Sequence, residues 1–146
     1  MTLSSAMRAS ASGMTAERFR MDVISVNIAN SGSTQVGNQA PYRSREVVLE
    51  PTPNGVRISQ IAPRETPFPV RYMPGHPNAD PQGNVRMSNV EPITEMVNMM
   101  SASRAYEANV AAFNTAKGMV KSALNIGKVW ELRVANSEQM PHVANH

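Results

Sequence analysis

The chain has 146 residues, of which 41% are hydrophobic and only 5% aromatic, and its net charge is +3. This length suits one modest domain, but so few aromatic side chains leave little material for a self-sufficient core. There is no cysteine, which excludes disulfides and thiolate metal sites. No apolar run approaches the roughly 18 residues of a membrane span. The first residues lack the pattern of a secretory signal, so we expect a route other than general secretion.

Proline divides the chain into segments. Of the 11 prolines, ten lie between Pro41 and Pro92, and the last is Pro141. A proline inside a helix costs roughly 3 kcal/mol, so the two proline-free flanks favour helices and the middle favours an irregular segment. We predict a mainly α fold with a small β-rich insert, whose long N- and C-terminal helices pair as a coiled coil. The predicted units are an N-terminal helix (1–32), a proline-rich insert (33–90), a C-terminal helix (91–128) and a disordered or extraneous tail (129–146).

The first flank has a seven-residue rhythm that predicts a helix from about residue 4 to residue 30. Ser4 or Ser5 is a suitable cap for its start, and Gly32 for its end. Its positions follow the 4-3 alternation of a heptad seam. The seam consists of Leu3, Met7, Ser10, Met14, Glu17, Met21, Ile24 and Ile28.

The last flank repeats this rhythm and predicts a second helix from Pro92 to Gly127. Ser88 and Glu91 have capping-box spacing, and Pro92 suits a first helical turn. Gly127 is the expected stop. The seam of this helix consists of Met99, Ser103, Tyr106, Val110, Phe113, Lys117, Val120 and Leu124.

The middle of the chain predicts short strands. Asn54-Gly55 separates two runs rich in β-branched residues, which is a hairpin signal. Pro67 and Pro69 confine the apolar alternation that ends at Tyr72 to an edge strand. The remaining segments are a turn-rich loop and one more short strand, at 75–83 and 84–90.

Small residues occupy one face of each predicted helix. Such faces let helices approach closely but remove little apolar area from water. A two-helix hairpin of this kind is marginal by itself, so we expect other chains to supply the missing packing, and the isolated monomer to fray. The two faces consist of Ala6, Ala9, Ser10, Gly13 and Ala16, and of Ala105, Ala108, Ala112 and Ala116.

A search for catalytic and metal chemistry finds little. His76 and Asp80 lie four residues apart but among turn-forming residues, and no third ligand is evident. His142 and His146 follow Pro141 near the terminus. No phosphate loop or nucleophile motif is present. We therefore predict no enzyme activity, no cofactor and no metal site.

Nucleic-acid binding is the next alternative to consider. It needs clustered basic residues with aromatics or a known module. Arg43 and Arg45, beside Tyr42, form the densest basic spot, but Glu46 and Glu50 follow at once. A solvated strand is the favoured interpretation, so we expect no nucleic-acid partner.

Three segments carry a resemblance to a known family. "SASGMTAERFRMDVISVNIAN" (10–30) resembles the N-terminal motif of the flagellar axial proteins, which build the rod and hook. "EMVNMMSASRAYEANVAAFNTAKGMVKSALNIG" (95–127) resembles their C-terminal helix. "MPGHPNADPQGNVRMSNV" (73–90) is similar to the loop before the last helix in the proximal-rod members, and the short insert also resembles theirs.

The resemblance implies a structural subunit of the bacterial flagellar basal body. Members of this family use both terminal helices as an inner layer of a hollow helical tube, the rod, which transmits torque and encloses the export channel. They pass unfolded through the flagellar type III apparatus, without a cleaved signal peptide, to the periplasm-spanning rod. The implied partners are other copies of the chain, other rod proteins, the rod adapter subunit and the membrane-ring and export-gate base, with no small-molecule substrate.

An assembly interface is therefore expected along the helices. The alternative is a secreted helical partner that binds one target through the same seams, and a 1:1 complex without a tube would favour it. The expected interface residues are Met7, Met14, Met21, Ile24, Asn27, Ile28, Asn30, Met96, Met99, Arg104, Tyr106, Asn109, Val110, Phe113, Val120 and Leu124.

Overall fold

The computed structural model describes residues 2–139, so the predictions for Pro141, His142 and His146 lie outside the described residues. Two long terminal helices enclose a small antiparallel β insert in the chain order, which confirms the predicted element types. Neither helix, over the described residues, has a stretch long and apolar enough to cross a membrane. The elements are α1 (Leu3–Ala29), β1 (Arg45–Thr52), β2 (Gly55–Pro63), β3 (Val70–Tyr72), β4 (Asn84–Arg86) and α2 (Pro92–Glu138).

A reciprocal capping box starts α1. The Ser5 backbone N–H donates to the Thr2 hydroxyl at 3.2 Å, and the Thr2 backbone N–H donates to the Ser5 hydroxyl at 3.0 Å. Ser5 therefore contributes to the cap, as its partner three residues on, while Thr2 is the cap itself. At the other end, Asn30 follows the last helical residue, and its side-chain amide donates to the Val26 carbonyl at 2.8 Å.

The start of α2 differs from the predicted capping box. Pro92 takes the first helical turn as expected, but Glu91 is the cap and makes no side-chain capping bond. The Ser88 hydroxyl instead accepts from the Val90 backbone N–H at 3.2 Å. Asn89 bonds to the insert. The predicted box is wrong because these polar side chains hold the chain that leads into the helix.

The predicted end of α2 at Gly127 is also wrong, since the helix has 47 residues and continues to Glu138. Among the described glycines, only those in the insert have the positive φ that favours glycine at a helix end. A glycine inside a helix costs about 1 kcal/mol, and no proline follows before Pro141. Residues 129–138 are therefore helical and not disordered.

The predicted hairpin is confirmed. Strands β1 and β2 pair antiparallel, with Thr52 opposite Gly55 at the turn and an irregularity between Val48 and Leu49. Gly55 has φ 134°, and a Cβ there would lie 2.9 Å from the Cα of Ala9, so only glycine fits. The hairpin lies along α1.

The remaining insert is a second, smaller ladder. Strands β3 and β4 pair antiparallel, with Val70 opposite Arg86 and Tyr72 opposite Asn84. The Ser88 backbone N–H donates to the Ser33 carbonyl at 2.9 Å. The loop before α2 is thereby joined to the segment that follows α1, so the smaller ladder lies at that end of α1, whereas the hairpin extends along α1 as far as Ala9.

The core is small, and much of it is polar. Within residues 2–139, the buried apolar side chains belong mostly to alanine and valine, while large apolar residues on α2 are exposed. This confirms that the chain buries little apolar surface by itself. The core consists of Ala16, Ile24, Val85, Val90, Ala102 and Ala116, with the polar Asn27, Ser44, Ser88, Asn89 and Glu95; Pro41 and Gly83 are buried as well.

The helices run antiparallel. Asn27 meets Glu95 at the insert end, where the two side chains are hydrogen-bonded at 3.0 Å. Further along, a Cβ on Gly13 would lie 2.7 Å from the Asn109 amide. Both steps, from Asn27 to Gly13 and from Glu95 to Asn109, cover two heptads. Each helix therefore rises by the same length, about 21 Å, between these two contacts.

The predicted seam of α2 is right in part. Lys117 and Leu124 are exposed, and the other six predicted residues are half-buried: Met99, Ser103, Tyr106, Val110, Phe113 and Val120. The side chains that pack most closely against α1 stand one residue before the predicted Ser103, Val110 and Lys117. All of them except Asn109 are buried. A seam that packs closely selects small and polar side chains, whereas the prediction followed the large apolar ones. The corrected positions are Glu95, Ala102, Asn109 and Ala116.

Candidate assembly site

A fully buried amide joins the two helices to the insert. The Asn27 side chain donates to the Arg45 carbonyl at 2.8 Å and to Glu95 Oε2 at 3.0 Å. Its Oδ1 accepts from the Tyr42 hydroxyl at 2.9 Å and from the Arg45 backbone N–H at 3.1 Å. The amide thereby uses all four of its hydrogen-bonding positions. A side chain satisfied in this way holds one arrangement of α1, α2 and β1.

Glu95 is the buried charge at this point, with only 1% of its surface exposed. Arg64 Nη1 lies 3.5 Å from Glu95 Oε1, and Arg64 Nη2 lies 3.7 Å from Glu46 Oε2. A buried carboxylate is costly unless it is both paired and hydrogen-bonded. Asn27 and Arg64 together meet that requirement. We call the set Asn27, Tyr42, Arg45, Arg64 and Glu95 the polar junction.

The Tyr42 hydroxyl completes the polar junction as a donor. Burial raises the pKa of Tyr42, Arg45 opposes that rise, and the nearby Glu95 adds to it. A raised pKa keeps the phenol protonated, which is the form that donates to Asn27. The electrostatics and the hydrogen-bond geometry therefore agree.

A second buried amide, Asn89, lies at the entrance to α2. Its Oδ1 accepts from the Ser44 backbone N–H at 2.7 Å. Its Nδ2 donates to the carbonyls of Arg64 and Thr66, at 3.1 and 3.0 Å. Asn89 thereby joins the residue before β1 and the segment after β2 to the chain that leads into α2. Within the described chain, the Ser44 hydroxyl is buried without a hydrogen-bond partner.

Sequence reasoning found Asn27 but missed most of the polar junction. Asn27 and Asn30 were both expected at the assembly interface. In the structure the Asn27 amide makes four hydrogen bonds within the chain, while Asn30 follows the end of α1. Glu95 was missed, although its spacing to Met99 and Ala102 continues the 4-3 alternation. That spacing is the signal that identifies it.

The expected interface residues fall into three groups. Ile24 and Asn27 are buried within the chain, so they cannot contact a neighbour in this conformation. Met96, Arg104 and Leu124 are exposed. The others are half-buried between the helices or along their edges: Met7, Met14, Met21, Ile28, Asn30, Met99, Tyr106, Asn109, Val110, Phe113 and Val120.

The basic spot and the histidine turn both have structural roles. Arg43 donates to the carbonyls of Arg64 and Thr66 and stacks over Phe68, 4.3 Å from the ring centre. His76 Nδ1 accepts from a backbone N–H two residues on. Asp80 likewise accepts from backbone N–H groups. Within residues 2–139, no three acidic or histidine side chains are grouped to hold a metal ion.

A cleft of about 430 Å³ opens beside the polar junction. Its walls come from α1, from the hairpin and from the start of α2, and they include Arg20, Leu49 and Asn98. Both apolar and charged side chains line it.

Comparison with protein families identifies the class. Residues 7–34 match the family described as "Flagella basal body rod protein". Residues 82–126 match "Flagellar basal body rod FlgEFG protein C-terminal". The two matches cover most of α1 and the α1-facing part of α2. The fold and these matches define a flagellar basal-body rod protein.

Curated relatives narrow this class. The chain is 39% identical to the flagellar basal-body rod protein FlgC of Bacillus subtilis, over 88% of this chain and all of that protein. It is 37% identical to FlgC of Borreliella burgdorferi, over 86% of this chain and 98% of that protein. It is also 37% identical to FlgC of Salmonella typhimurium, over 80% and 92%. The chain belongs to the FlgC family of flagellar basal-body rod proteins, and it is a structural subunit of the rod.

Proposed function

We propose that this subunit assembles into the proximal rod, as part of a hollow helical tube that transmits torque and encloses the export channel. The observation that carries the proposal is that two long helices share only a small buried core, so that large apolar side chains of α2 stay exposed. On α2, Ile93 is 79% exposed and Trp130 is 66% exposed. Exposed apolar surface on this scale indicates contact with other proteins.

Pairing of α1 and α2 as a coiled coil is part of this proposal. The 4-3 spacing of the corrected α2 seam and the equal advance of both helices from Asn27–Glu95 to Gly13–Asn109 support it. A coiled coil gives a straight, stiff element. Torque transmission requires such an element.

The proposed partners are other copies of the chain, other rod proteins, the adapter subunit, and the membrane-ring and export-gate base. Membership of the rod family supports assembly with other rod proteins. The proposed export route is the flagellar type III apparatus, without signal cleavage. The small core supports this route, because a chain with little buried apolar surface unfolds at low cost.

The proposed role is mechanical and not enzymatic. Two of the most buried polar side chains, those of Asn27 and Glu95, are bonded to neighbours of the same chain. Groups held in this way position elements of the fold. The polar junction therefore sets the angle between the insert and the helix pair, which each subunit must reproduce along the rod.

Genetic complementation tests this function. In a strain that lacks this protein, we expect assembly to stop before rod completion, and the full chain to restore completed basal bodies. Counting basal bodies by electron microscopy gives the result. Normal rods in the strain without the protein contradict the proposal. Expression of the other rod proteins serves as the control.

A further inference from the structure

Strand β3 is the outer strand of the smaller ladder. One edge of β4 pairs with β3. At the other edge of β4, the Gln35 backbone N–H donates to the Arg86 carbonyl at 2.9 Å. Strand β4 is therefore bonded on both edges, whereas β3, among residues 2–139, pairs with β4 alone. We call the open edge of β3, over Val70–Tyr72, the β3 edge.

The β3 edge presents unpaired backbone groups. Hydrogen-bonded pairs alternate along an antiparallel ladder. The Pro69 carbonyl and the Met73 N–H are each bonded to the opposite chain at 2.8 Å, so Arg71 is the bonded residue between them. The N–H and C=O groups of Val70 and Tyr72 therefore point away from β4. Outward groups of this kind are a template for one more strand.

The side chains at the two outward positions are apolar and exposed. Val70 is 61% exposed and Tyr72 is 71% exposed. A Cβ on Gly83 would lie 2.8 Å from Tyr72 Cε2, so the tyrosine ring rests against the backbone there. Natural sheets shield their edges with proline, and Pro67 and Pro69 shield the residues before the β3 edge. The unshielded part is thus a short apolar window.

Arg71 decides which strand fits this window. Successive side chains of a strand point to opposite faces, so Arg71 lies on the face of the buried Val85 opposite it and is itself exposed. An added strand places one side chain directly opposite Arg71, where a like charge destabilises and an opposite charge stabilises. Two β3 edges of separate copies, paired over their full length, would place arginine opposite arginine. The β3 edge therefore favours a strand with Asp or Glu between two apolar residues.

The surroundings add to the positive charge. Arg43 and Arg86 both stack on Phe68, at 4.3 and 5.0 Å from the ring centre. With Arg71 they outnumber the two acidic residues of the neighbouring loops, Glu65 and Asp80. Electrostatic complementarity then selects an acidic partner over a basic one.

A second copy of the chain has no such strand to offer within residues 2–139. Glu46 and Glu50 belong to β1, which is paired with β2. Glu65 precedes Thr66, whose carbonyl accepts from Asn89 at 3.0 Å. These extended acidic segments are already bonded within the chain, so the partner strand must come from a different protein.

We propose that the β3 edge binds an extended segment of a different rod protein, which adds as a further strand and places an acidic residue opposite Arg71. Backbone hydrogen bonds at Val70 and Tyr72 hold such a segment, and alternate side chains select it. The inference rests on the proposed function, because the rod supplies the neighbouring protein. A three-residue edge buries far less than the roughly 1,200 Å² of a stable protein pair, so the contact forms where the rod already holds both proteins together.

Photo-cross-linking in isolated basal bodies tests this contact. In the full-length chain, p-benzoylphenylalanine replaces Tyr72, since it keeps an aromatic ring at that position. After irradiation, the cross-linked peptide is sequenced by mass spectrometry. We expect one adduct, with a segment of a different rod protein that carries Asp or Glu between apolar residues. An adduct with β3 of a second copy, or with a segment that has no acidic residue, overturns the proposal.

The same replacement at Gln60, an exposed residue of β2, is the positional control. It should not give the adduct that Tyr72 gives. The same adduct from both positions would show that cross-linking reports general proximity, and it would overturn the proposal.

A matched pair at position 70 tests the backbone bonds. On the cross-linking background, Val70→Pro removes the outward N–H but no bond of the ladder, whereas Val70→Ile keeps both the N–H and an apolar side chain. We expect Val70→Pro to lower the adduct yield about fivefold, the effect of one hydrogen bond, and Val70→Ile to leave it unchanged. Equal yields from the two variants overturn the proposal.

A second pair tests the charge and does not depend on how the chain tolerates proline. Arg71→Glu places a like charge opposite the acidic residue of the partner, so the yield should again fall about fivefold. Arg71→Lys should retain the yield. Equal yields from these two variants contradict the proposed pairing.

The outcomes separate this inference from the proposed function. Complete rods that contain the chain but give no adduct from Tyr72 remove the strand contact and leave the rod function standing. Complete rods that lack the chain remove the function itself, and the strand contact with it.

Discussion

The side-chain amide of Asn27 donates to Glu95 Oε2 at 3.0 Å, and both residues are at most 1% exposed. They lie 68 residues apart in the chain, one in the last turns of α1 and the other in the first turn of α2. The bond closes the loop formed by the whole insert. A buried polar contact of this kind selects one register of two helices whose apolar surfaces are too small to do so.

Replacing Asn27 with Asp tests the polar junction. The substitution keeps the shape of the side chain but removes both donors and places a carboxylate against Glu95. We expect the free energy of unfolding to fall by about 3 kcal/mol, because a buried charge is left without its partner. Thermal and urea unfolding followed by circular dichroism measure this change.

Two further variants make that test specific. Glu95→Gln on the Asn27→Asp background restores a donor opposite the new carboxylate, so we expect part of the lost stability to return. Asn30→Ala removes only one bond at the helix end, and we expect a loss of about 1 kcal/mol. If Asn27→Asp is as mild as Asn30→Ala, Asn27 serves only to end the helix.

Gly13 is predicted to be required for close approach of the helices. Alanine ordinarily stabilises a helix by about 1 kcal/mol relative to glycine. At Gly13, however, its Cβ would lie 2.7 Å from the Asn109 amide. We expect Gly13→Ala to destabilise the helix pair and Asn109→Ala to rescue it, as a double-mutant cycle by thermal unfolding would measure.

Gly118 provides the matched control for this prediction. It lies on α2, and a Cβ added at this position would have no neighbouring side chain or strand within 4 Å. Gly118→Ala is therefore expected to stabilise α2 by about 1 kcal/mol. Stabilisation by both alanine substitutions would contradict the close contact between Gly13 and Asn109.

From the raised pKa of Tyr42, we expect the protein to lose stability at alkaline pH. Because the pKa of Tyr42 is raised above 10.0 in the folded chain, the folded state holds the phenol proton more tightly than the unfolded state. This contribution to stability is complete below pH 10 and is lost as the pH rises through the folded-state pKa. The absorbance of tyrosinate is followed as the pH of wild-type and Tyr42→Phe protein is raised. The ionisation at the highest pH should be missing from Tyr42→Phe, and the same high-pH ionisation in both proteins would contradict burial of Tyr42.

The isolated monomer is predicted to be ordered at one end and frayed at the other. α1 has 27 residues and α2 has 47, but the polar junction and the smaller ladder lie at the insert end, and the hairpin follows α1 only as far as Ala9. We expect slow amide hydrogen exchange near Asn27 and Ala102, and fast exchange near Leu3 and beyond Lys121. Circular dichroism of dilute monomer should show fewer helical residues than these two spans. Uniform protection would show that the chain folds without partners.

Sequence patterns predicted the element types because proline and glycine act locally. The proline-free flanks became helices, and Asn54-Gly55 marked the hairpin. The end of α2 was misplaced because Gly127 resembles a stop in sequence, yet its cost of about 1 kcal/mol inside a helix is small. Local signals predict where a helix is able to end, and neighbouring residues decide whether it does.

The packing seam was harder to predict because close packing favours small residues. Val110 was expected at the seam centre but is half-buried beside it, since Asn109 faces Gly13. The polar junction was least accessible to prediction. Tyr42, Arg64 and Glu95 meet only through the tertiary fold, and nothing in their local sequence requires these bonds.

A cryo-electron microscopy map of isolated basal bodies tests the central claim most directly. The map is expected to place this chain in the proximal part of the rod, with α1 and α2 paired antiparallel in the inner layer. Asn27 and Glu95 should remain in contact within each subunit. Basal bodies with complete rods that lack this chain, or a soluble 1:1 complex as its final state, would contradict the account.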